Sequence, residues 1–283
     1  MRIIEEQIQG QQTFDGAGVD LTRVLSQQTV YDFDPILMLD AFDSTDPESY
    51  KAGFPEHPHR GIEAISYVIS GEMHHKDSLG NEDTLHDGDL QWMTAGSGVK
   101  HSERFGSCER LLGVQVWLNL PQADKMCDPV YHHIAADAIP VVNGEGTSVR
   151  VLAGRYGDAA GFQGAHLPLD YFDASLEPGA ALEIPTDPER MTMVFTLVGD
   201  ALIDGTTVAA KTAARLSKGD SFVAAAPAPA EDTVRLLVLS APALEEPIVW
   251  HGPIVMNSLV DIAKASAELR NGKFLKTDIV YDK

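Results

Sequence analysis

Two pairs of residues with chemically active side chains share the same spacing. The stretch GFPEHPHRGIE places His57 and His59 two residues apart, and GVKHSE places His101 and Glu103 two residues apart. Side chains two positions apart on a β-strand point to the same side of the sheet. Three imidazoles and one carboxylate that meet inside a barrel would suit Fe, Mn, Ni, Cu or Zn.

A single H-x-H motif carries little information, because histidines at strand ends are commonly solvated and hydrogen-bonded. The two pairs lie about forty residues apart, and each is flanked by glycines, so strands that form a meander could bring them together. Glu63 has the same parity as the first pair if the strand is regular. The joint pattern favours a metal site over two unrelated surface pairs.

Other histidines occur as adjacent pairs, His74-His75 and His132-His133. Adjacent side chains diverge on a strand, so the two members of such a pair face opposite sides of the sheet. We expect these pairs to lie on the surface.

The surrounding sequence has the pattern of strands. Short runs rich in β-branched, aromatic and other apolar residues are divided by turns such as SLGN, HDGD and IDGT. The clearest runs are Ile65–Ser70, Leu111–Leu120, Met191–Val198 and Val234–Pro242. Many short strands at regular spacing predict an all-β fold built from barrels or sandwiches.

One segment near the C-terminus has helical periodicity instead. The stretch NSLVDIAKASAELRNGKF predicts a short α-helix of about three turns, capped at its start by Ser258. Its predicted apolar stripe consists of Leu259, Ile262, Ala263, Ser266 and Leu269. We expect this helix to pack against a barrel.

A weak internal repeat indicates two β-units. The segment ISYVISGEMHHKDSLG, followed by LHDGDLQWM, has a counterpart in MVFTLVGDALIDG, followed by LSKGDSFVA. The small and polar residues of AADAIPVVNGEGTS suggest a boundary between the units. We predict domains at 1–138 and 139–283, with the helix in the second.

Composition narrows the functional classes. The net charge is −21, from 42 acidic and 21 basic residues, and no basic run is present, which argues against direct nucleic-acid binding. The two cysteines, Cys108 and Cys127, are expected to be reduced thiols. Without a signal-like N-terminus or a long apolar run, the sequence predicts a cytoplasmic protein with no membrane association.

The sequence resembles the pirin family, a branch of the cupin superfamily. The similar segments are DPILMLDAF, GFPEHPHRGIE, GEMHHKDSLGN, GDLQWMTAGSGVKHSE, QVWLNLP, EPIVWHGPIVMNS and ELRNGKF. The resemblance implies two tandem cupin-type β-barrels (a bicupin). It also implies one metal, usually taken as iron, bound at the positions of His57, His59, His101 and Glu103. Pro185 and Asp187 stand opposite His57 and His59 in the second half, which would therefore be metal-free.

The resemblance also implies a reaction. Related proteins act as quercetin 2,3-dioxygenases, which open a flavonol ring with O₂ and release CO. Glu103 would then be both a ligand and the catalytic base. Many cupins instead take a carboxylate ligand from the first motif, which would nominate Glu63, and we expect Glu63 to lie beside the ligands.

Two alternatives to an enzyme remain. The chain could be a metal-dependent, redox-sensing regulatory protein that binds a transcription factor or a metabolic enzyme. The metal could also have a purely structural role, although an open coordination position favours chemistry.

Overall fold

The computed structural model describes residues 1–228 and 233–276. Within them the chain forms twenty-six strands, one α-helix and three short 3₁₀ segments at Pro47–Ser49, Gln122–Asp124 and Ala136–Ala138. The first strands are β1 (Ile4–Gln9), β2 (Gln11–Asp15), β3 (Val19–Leu25), β4 (Ile36–Ser44), β5 (Phe54–His59), β6 (Ile62–Ser70), β7 (Met73–Asp77), β8 (Glu82–Leu85), β9 (Leu90–Thr94), β10 (Val99–Phe105), β11 (Leu111–Asn119) and β12 (Val130–Ile134). The later elements are β13 (Val141–Gly144), β14 (Thr147–Ala153), β15 (Arg155–Tyr156), β16 (Ala159–Ala160), β17 (Asp170–Leu176), β18 (Ala181–Pro185), β19 (Met191–Val198), β20 (Ala201–Ile203), β21 (Thr206–Val208), β22 (Thr212–Leu216), β23 (Ser221–Ala225), β24 (Val234–Ala241), β25 (Val249–His251), β26 (Ile254–Met256) and α1 (Leu259–Arg270).

The all-β prediction with one short C-terminal helix is confirmed. The predicted strands correspond to β6, β11, β19 and β24, each within three residues of the expected bounds. Ser258 caps α1 by accepting a hydrogen bond from the backbone N–H of Asp261, as expected. In the part of the chain that the structure covers, no helix has the length and apolar character that crossing a membrane requires.

The predicted helical stripe is partly wrong. Ile262 and Ala265 are the buried residues of α1, whereas Leu259 has an exposed fraction of 76%. The buried side of α1 contributes to a small apolar cluster with β26 and Phe274. Leu259 therefore lies outside the side of the helix that packs on the barrel.

Two compact units share the chain, and each contains discontinuous segments. One unit contains residues 12–30, 36–136 and the described residues from Leu244 on, and we call it the histidine barrel. The other contains residues 1–11, 31–35 and 137–243, and we call it the apolar barrel. This division differs from the predicted 1–138 and 139–283. Strand β1 pairs with β22, and α1 packs on β25 and β26, so both ends of the chain join the unit built by the other half.

The histidine barrel has a seven-stranded sheet and a four-stranded sheet, both antiparallel where their strands pair. The strand orders are β12-β9-β6-β11-β4-β3-β2 and β5-β10-β7-β8. Side chains of the two sheets meet inside, since Val68 of β6 packs with Met73 of β7 and Leu85 of β8.

The apolar barrel repeats this plan with strand orders β1-β22-β19-β24-β17-β14-β13 and β18-β23-β20-β21. Its core is one apolar cluster to which both sheets contribute. Val194, Phe172 and Val238 come from the larger sheet, and Ile184 and Phe222 come from the smaller. This cluster fills the interior and gives the unit its stability.

The two interiors differ along one row of directly paired residues. In the histidine barrel the row is polar, and we call Gln91, Ser66, Gln115, Asp40 and Arg23 the polar row. In the apolar barrel the row of Ala214, Val194, Val238, Phe172 and Val151 lies entirely within the core cluster, and we call it the apolar row. Directly paired residues share one face of a sheet, so each row lines one continuous surface.

Candidate metal centre

The two predicted motifs lie on neighbouring antiparallel strands. His57 and His59 are on β5, and His101 and Glu103 are on β10. His101 pairs with His57, and Val99 pairs with His59. The register shifts between His101 and Glu103, where two residues of β10 stand against three of β5. The strand spacing therefore brings the three histidines together, as predicted.

The three imidazoles form a compact group. One nitrogen from each of His57, His59 and His101 lies within 4.8 Å of the others. The Nε2 atoms of His57 and His59 are 3.0 Å apart. The ring centroids of His57 and His101 are separated by 4.4 Å, and those of His59 and His101 by 4.9 Å.

Backbone carbonyls set the tautomers of the first two histidines. Nδ1 of His57 lies 2.8 Å from the carbonyl oxygen of Pro55, and Nδ1 of His59 lies 3.2 Å from that of Pro253. A carbonyl oxygen only accepts hydrogen bonds, so each Nδ1 carries the proton and donates it. With a proton on each Nδ1, the Nε2 lone pairs of the two rings face each other.

A cation bound between the two Nε2 atoms would make this arrangement favourable. Lone pairs facing each other at 3.0 Å repel unless a positive charge lies against them. His101 Nε2 is also buried, and it has no hydrogen-bond partner among the described residues. Histidines that bind metals through Nε2 usually donate Nδ1–H to a protein acceptor, which is the pattern seen here. The residues present therefore fit a metal ion.

Burial keeps the imidazoles of His59 and His101 neutral. Burial, followed by the neighbouring His57, lowers the pKa of His59 to about 3. The pKa of His101 lies well below its ordinary value, first because of burial and then because of His59 and His57. Neutral imidazole is the form that binds metals, so no proton must be displaced from these two rings at neutral pH.

Glu103 lies outside the group of three. Its side chain is buried, with 1% exposed, and its two oxygens accept hydrogen bonds from Gln115 Nε2 at 3.1 and 3.2 Å. Ser66 Oγ lies 3.5 Å from the same carboxylate. Gln115 and Ser66 belong to the polar row, so the polar row holds Glu103 beside the histidines. Its role as a fourth ligand stays a prediction.

Glu63 is not on the histidine strand. Gly61, with a φ of +76°, forms the turn that ends β5, and Glu63 belongs to β6 in the other sheet. Its carboxylate is fully buried and accepts a 2.6 Å hydrogen bond from Thr94 Oγ1. The parity argument for Glu63 fails because the strand does not continue through the turn.

A cavity of about 420 Å³ opens onto the histidines. His57 and His59 form part of its wall, and Phe54 and Trp117 supply aromatic surface beside them. The rings of His59 and Trp117 meet edge to face with centroids 4.9 Å apart. A concave site with aromatic walls and a few convergent polar groups suits a small aromatic molecule.

The surface prediction for His75 is wrong. His75 is buried, with 1% exposed, and its Nδ1 lies 3.5 Å from Nδ1 of His101. His74 is exposed, as predicted for both. The spacing of His75 and Asp77 on one strand face was the available signal, and adjacency to His74 obscured it.

The prediction for the second adjacent pair holds in part. His132 is exposed, whereas His133 is half-buried between the carboxylates of Asp83 and Asp89. Gln115, which holds Glu103, is a further functional residue that was not predicted from the sequence. A glutamine in an otherwise apolar strand run was the signal for an inward-facing polar group.

Comparison with known proteins gives a consistent assignment. Residues 18–118 match the family described as Pirin, and residues 171–275 match the Pirin C-terminal cupin domain. A pirin-like protein of Caulobacter vibrioides is 38% identical over 271 residues, covering 94% of this chain and 97% of that protein. Human pirin is 33% identical over 267 residues, covering 92% and 89% of the two chains.

A solved structure agrees over the same length. The structure titled quercetin 2,3-dioxygenase from Acinetobacter baumannii superposes with a TM-score of 0.88 at 33% identity, covering 97% of this chain and 98% of that chain. Both family matches, the full-length relatives and the paired sheets agree. The chain therefore belongs to the pirin family of cupin proteins.

Proposed function

We propose that the chain is a mononuclear metal-dependent dioxygenase of the quercetin 2,3-dioxygenase type, with His57, His59, His101 and Glu103 as metal ligands. The observation that carries the proposal is the convergence of three imidazoles, two of which line an aromatic-walled cavity. The metal of choice is Fe(II), and Mn, Ni, Cu and Zn suit the same donors. The related structure from Acinetobacter baumannii supports the choice of reaction.

Each residue has a part that follows from its surroundings. His57 and His59 are oriented by the carbonyls of Pro55 and Pro253, so their Nε2 atoms are preset toward one point. A redox metal held by these residues would supply Lewis-acid activation of a substrate oxygen and electron transfer to O₂. Phe54 and Trp117 would hold a flat flavonol against the histidines and exclude water.

Glu103 would accept the proton of the flavonol 3-hydroxyl. Its carboxylate is buried and lies two residues from His101 on β10, which supports a role as base for a hydroxyl bound next to the histidines. Gln115 Nε2 donates to this carboxylate, and Trp117 Nε1 donates to Gln115 Oε1 at 3.4 Å. The amide is thereby oriented with its N–H toward Glu103, so the carboxylate is held in place for proton transfer.

The direct test combines metal analysis with turnover. Iron-loaded protein should consume O₂ and release CO with quercetin, and His59→Ala should lose both iron and turnover. Glu103→Gln, which keeps the shape of the side chain but removes the base and weakens a proposed ligand, should reduce the turnover per bound iron. Turnover no greater than that of free iron would reject the enzyme proposal.

The regulatory alternative uses the same ligands and needs a separate measurement. It predicts that the Fe(II) and Fe(III) forms differ in binding to a protein partner, even when no quercetin is converted. Equal binding by both forms to every captured partner would exclude it. Binding of none of Fe, Mn, Ni, Cu and Zn would contradict both proposals.

A further inference from the structure

A buried His–Asp pair lies directly behind His101. His75 and Asp77 are two residues apart on β7, and both side chains have 0% exposure. Strand β7 pairs with β10, so this pair stands beside the strand that carries His101 and Glu103. His75 Nε2 lies 3.1 Å from Asp77 Oδ2.

Asp77 is an acceptor with several donors. Its Oδ1 accepts the backbone N–H groups of Leu79 at 2.9 Å and Asn81 at 3.0 Å, and its Oδ2 accepts Asn81 Nδ2 at 2.9 Å. Because three N–H groups point at its two oxygens, Asp77 accepts at both of them, as an ionised carboxylate does. An ionised carboxylate has no proton to give, so His75 Nε2 carries the hydrogen of this contact.

The other nitrogen of His75 faces the candidate ligand. In a neutral imidazole protonated at Nε2, Nδ1 is an acceptor. His75 Nδ1 lies 3.5 Å from His101 Nδ1, so His101 donates and its own Nε2 keeps the lone pair that points into the histidine group. The ring of Tyr131 stacks on His75, with centroids 4.6 Å apart and planes 19° apart, and holds the plane of the His75 ring. We call the hydrogen-bonded series of Asp77, His75 and His101 the relay.

The three histidines are therefore supported differently. Neutral backbone carbonyls face Nδ1 of His57 and His59, whereas His101 is supported by a side-chain pair that ends in a negative charge. A carboxylate acting through hydrogen bonds makes a ligating imidazole a stronger electron donor and fixes its tautomer.

We infer that His75 and Asp77 are positioning residues that set the tautomer of His101 and strengthen its bond to the metal, an inference that rests on the proposed metal site. Neither residue touches substrate; both act through His101. The negative charge also favours the higher oxidation state of a bound redox metal, because it offsets the added positive charge.

Two variants remove different parts of the relay. Asp77→Asn removes the charge while conserving shape, and His75→Phe removes both hydrogen bonds while conserving an aromatic ring against Tyr131. Two controls are matched to them. His74→Phe changes the adjacent exposed histidine, and Asp43→Asn removes a carboxylate of the same barrel that pairs with Arg110, the residue before β11.

The first readout needs no metal. Long-range ¹H–¹⁵N NMR of the full-length, metal-free protein reports which nitrogen of each histidine carries the proton. Wild type and both controls should show His101 protonated at Nδ1. Asp77→Asn and His75→Phe should show a mixture of tautomers. An unchanged His101 tautomer in both relay variants would overturn the inference, whatever the metal site does.

The second readout is metal affinity, measured by titration of Co(II) with its visible spectrum. Both relay variants should bind Co(II) about 10- to 100-fold more weakly than wild type, and the controls should stay within about twofold. The Fe(III)/Fe(II) potential of the iron-loaded Asp77→Asn protein should be more positive than that of wild type. Equal affinities and potentials in folded relay variants would also overturn the inference. Failure of wild type to bind any metal would instead reject the proposed function, while the NMR result would still decide the tautomer.

Discussion

The histidine barrel and the apolar barrel are each built from a seven-stranded and a four-stranded sheet, but their interiors differ. The apolar row joins five strands through side chains that belong to one core cluster. The polar row also joins five strands, and four of its five side chains are buried: Asp40, Ser66, Gln91 and Gln115. Burying polar groups costs free energy unless they are paired, and it gains no hydrophobic stabilisation. The apolar interior stabilises its unit, and the polar interior accommodates a buried carboxylate beside three histidines.

The largest expected effect lies in the apolar row. Phe172→Ala should reduce the free energy of unfolding by about 3–5 kcal/mol, because it leaves a cavity in a filled core. Urea denaturation measures this loss. Val142→Ala, at an exposed position of β13, should change stability by less than about 0.5 kcal/mol. A small loss for Phe172→Ala would mean that this interior is not the structural core.

The next effect concerns the histidines. His101→Ala should weaken Co(II) or Fe(II) binding by at least about 100-fold, since loss of a ligand exceeds the usual effect of losing a residue that supports one. His251→Ala, an exposed histidine of the same barrel, is the matched control and should keep its metal. Metal content after gel filtration gives the comparison. Equal metal content in His101→Ala and His251→Ala would mean that His101 is not a ligand, and the metal site would then not distinguish the two barrels.

Acid should destabilise the metal-free protein through His59. The pKa of this ring is about 3 in the folded protein and about 6.5 when unfolded, so the unfolded chain binds the additional proton between these values. The contribution of His59 to the free energy of unfolding is therefore complete above about pH 6.5 and is lost as the pH falls toward 3. At pH 5 the loss should be about 2 kcal/mol. Denaturation of wild type and His59→Gln at pH 7 and pH 5 measures it, and equal acid sensitivity of the two would contradict the assignment.

The smallest expected effects lie within the polar row itself. Gln115→Leu should reduce the free energy of unfolding by about 1 kcal/mol, because Glu103 loses a donor while Ser66 stays beside it. Gln91→Leu should be neutral or stabilising, because neither amide atom of Gln91 has a hydrogen-bond partner among the described residues. Thermal unfolding of both variants tests the difference. Equal losses of stability in the two variants would mean that the hydrogen bonds of the polar row contribute nothing and that only the volume of its side chains matters.

Local patterns predicted the strands, the helix and the three histidines, because alternation along a strand is set by the chain itself. The position of His75 could not be predicted in this way. Alternation assigns His74 and His75 to opposite faces, but only the pairing of β7 with β10 decides which face is inside. The contact between Gln115 and Glu103 likewise depends on how two sheets meet, which is a long-range property.

The division of the chain escaped prediction for a related reason. Periodicity identifies α1 as a helix but carries no information on which unit receives it, and it does not assign β1 to a sheet. Strand β1 pairs with β22, more than 200 residues later, and α1 packs on β25 and β26 of the histidine barrel. The turn at Gly61 had a similar effect on Glu63, since one glycine with a positive φ moved that carboxylate to the other sheet.

The hydrogen bond between His59 and Pro253 has a consequence for how the protein is made. The two residues are 194 positions apart, and the ribosome adds Pro253 long after β5 and β10 have emerged. Arg60, next to His59, also receives its carbonyl partner from Phe274. During synthesis the nascent histidine barrel therefore lacks the acceptor that sets the tautomer of His59. A metal bound at the proposed site would therefore meet the mature geometry of His59 only after the C-terminal segment has been translated.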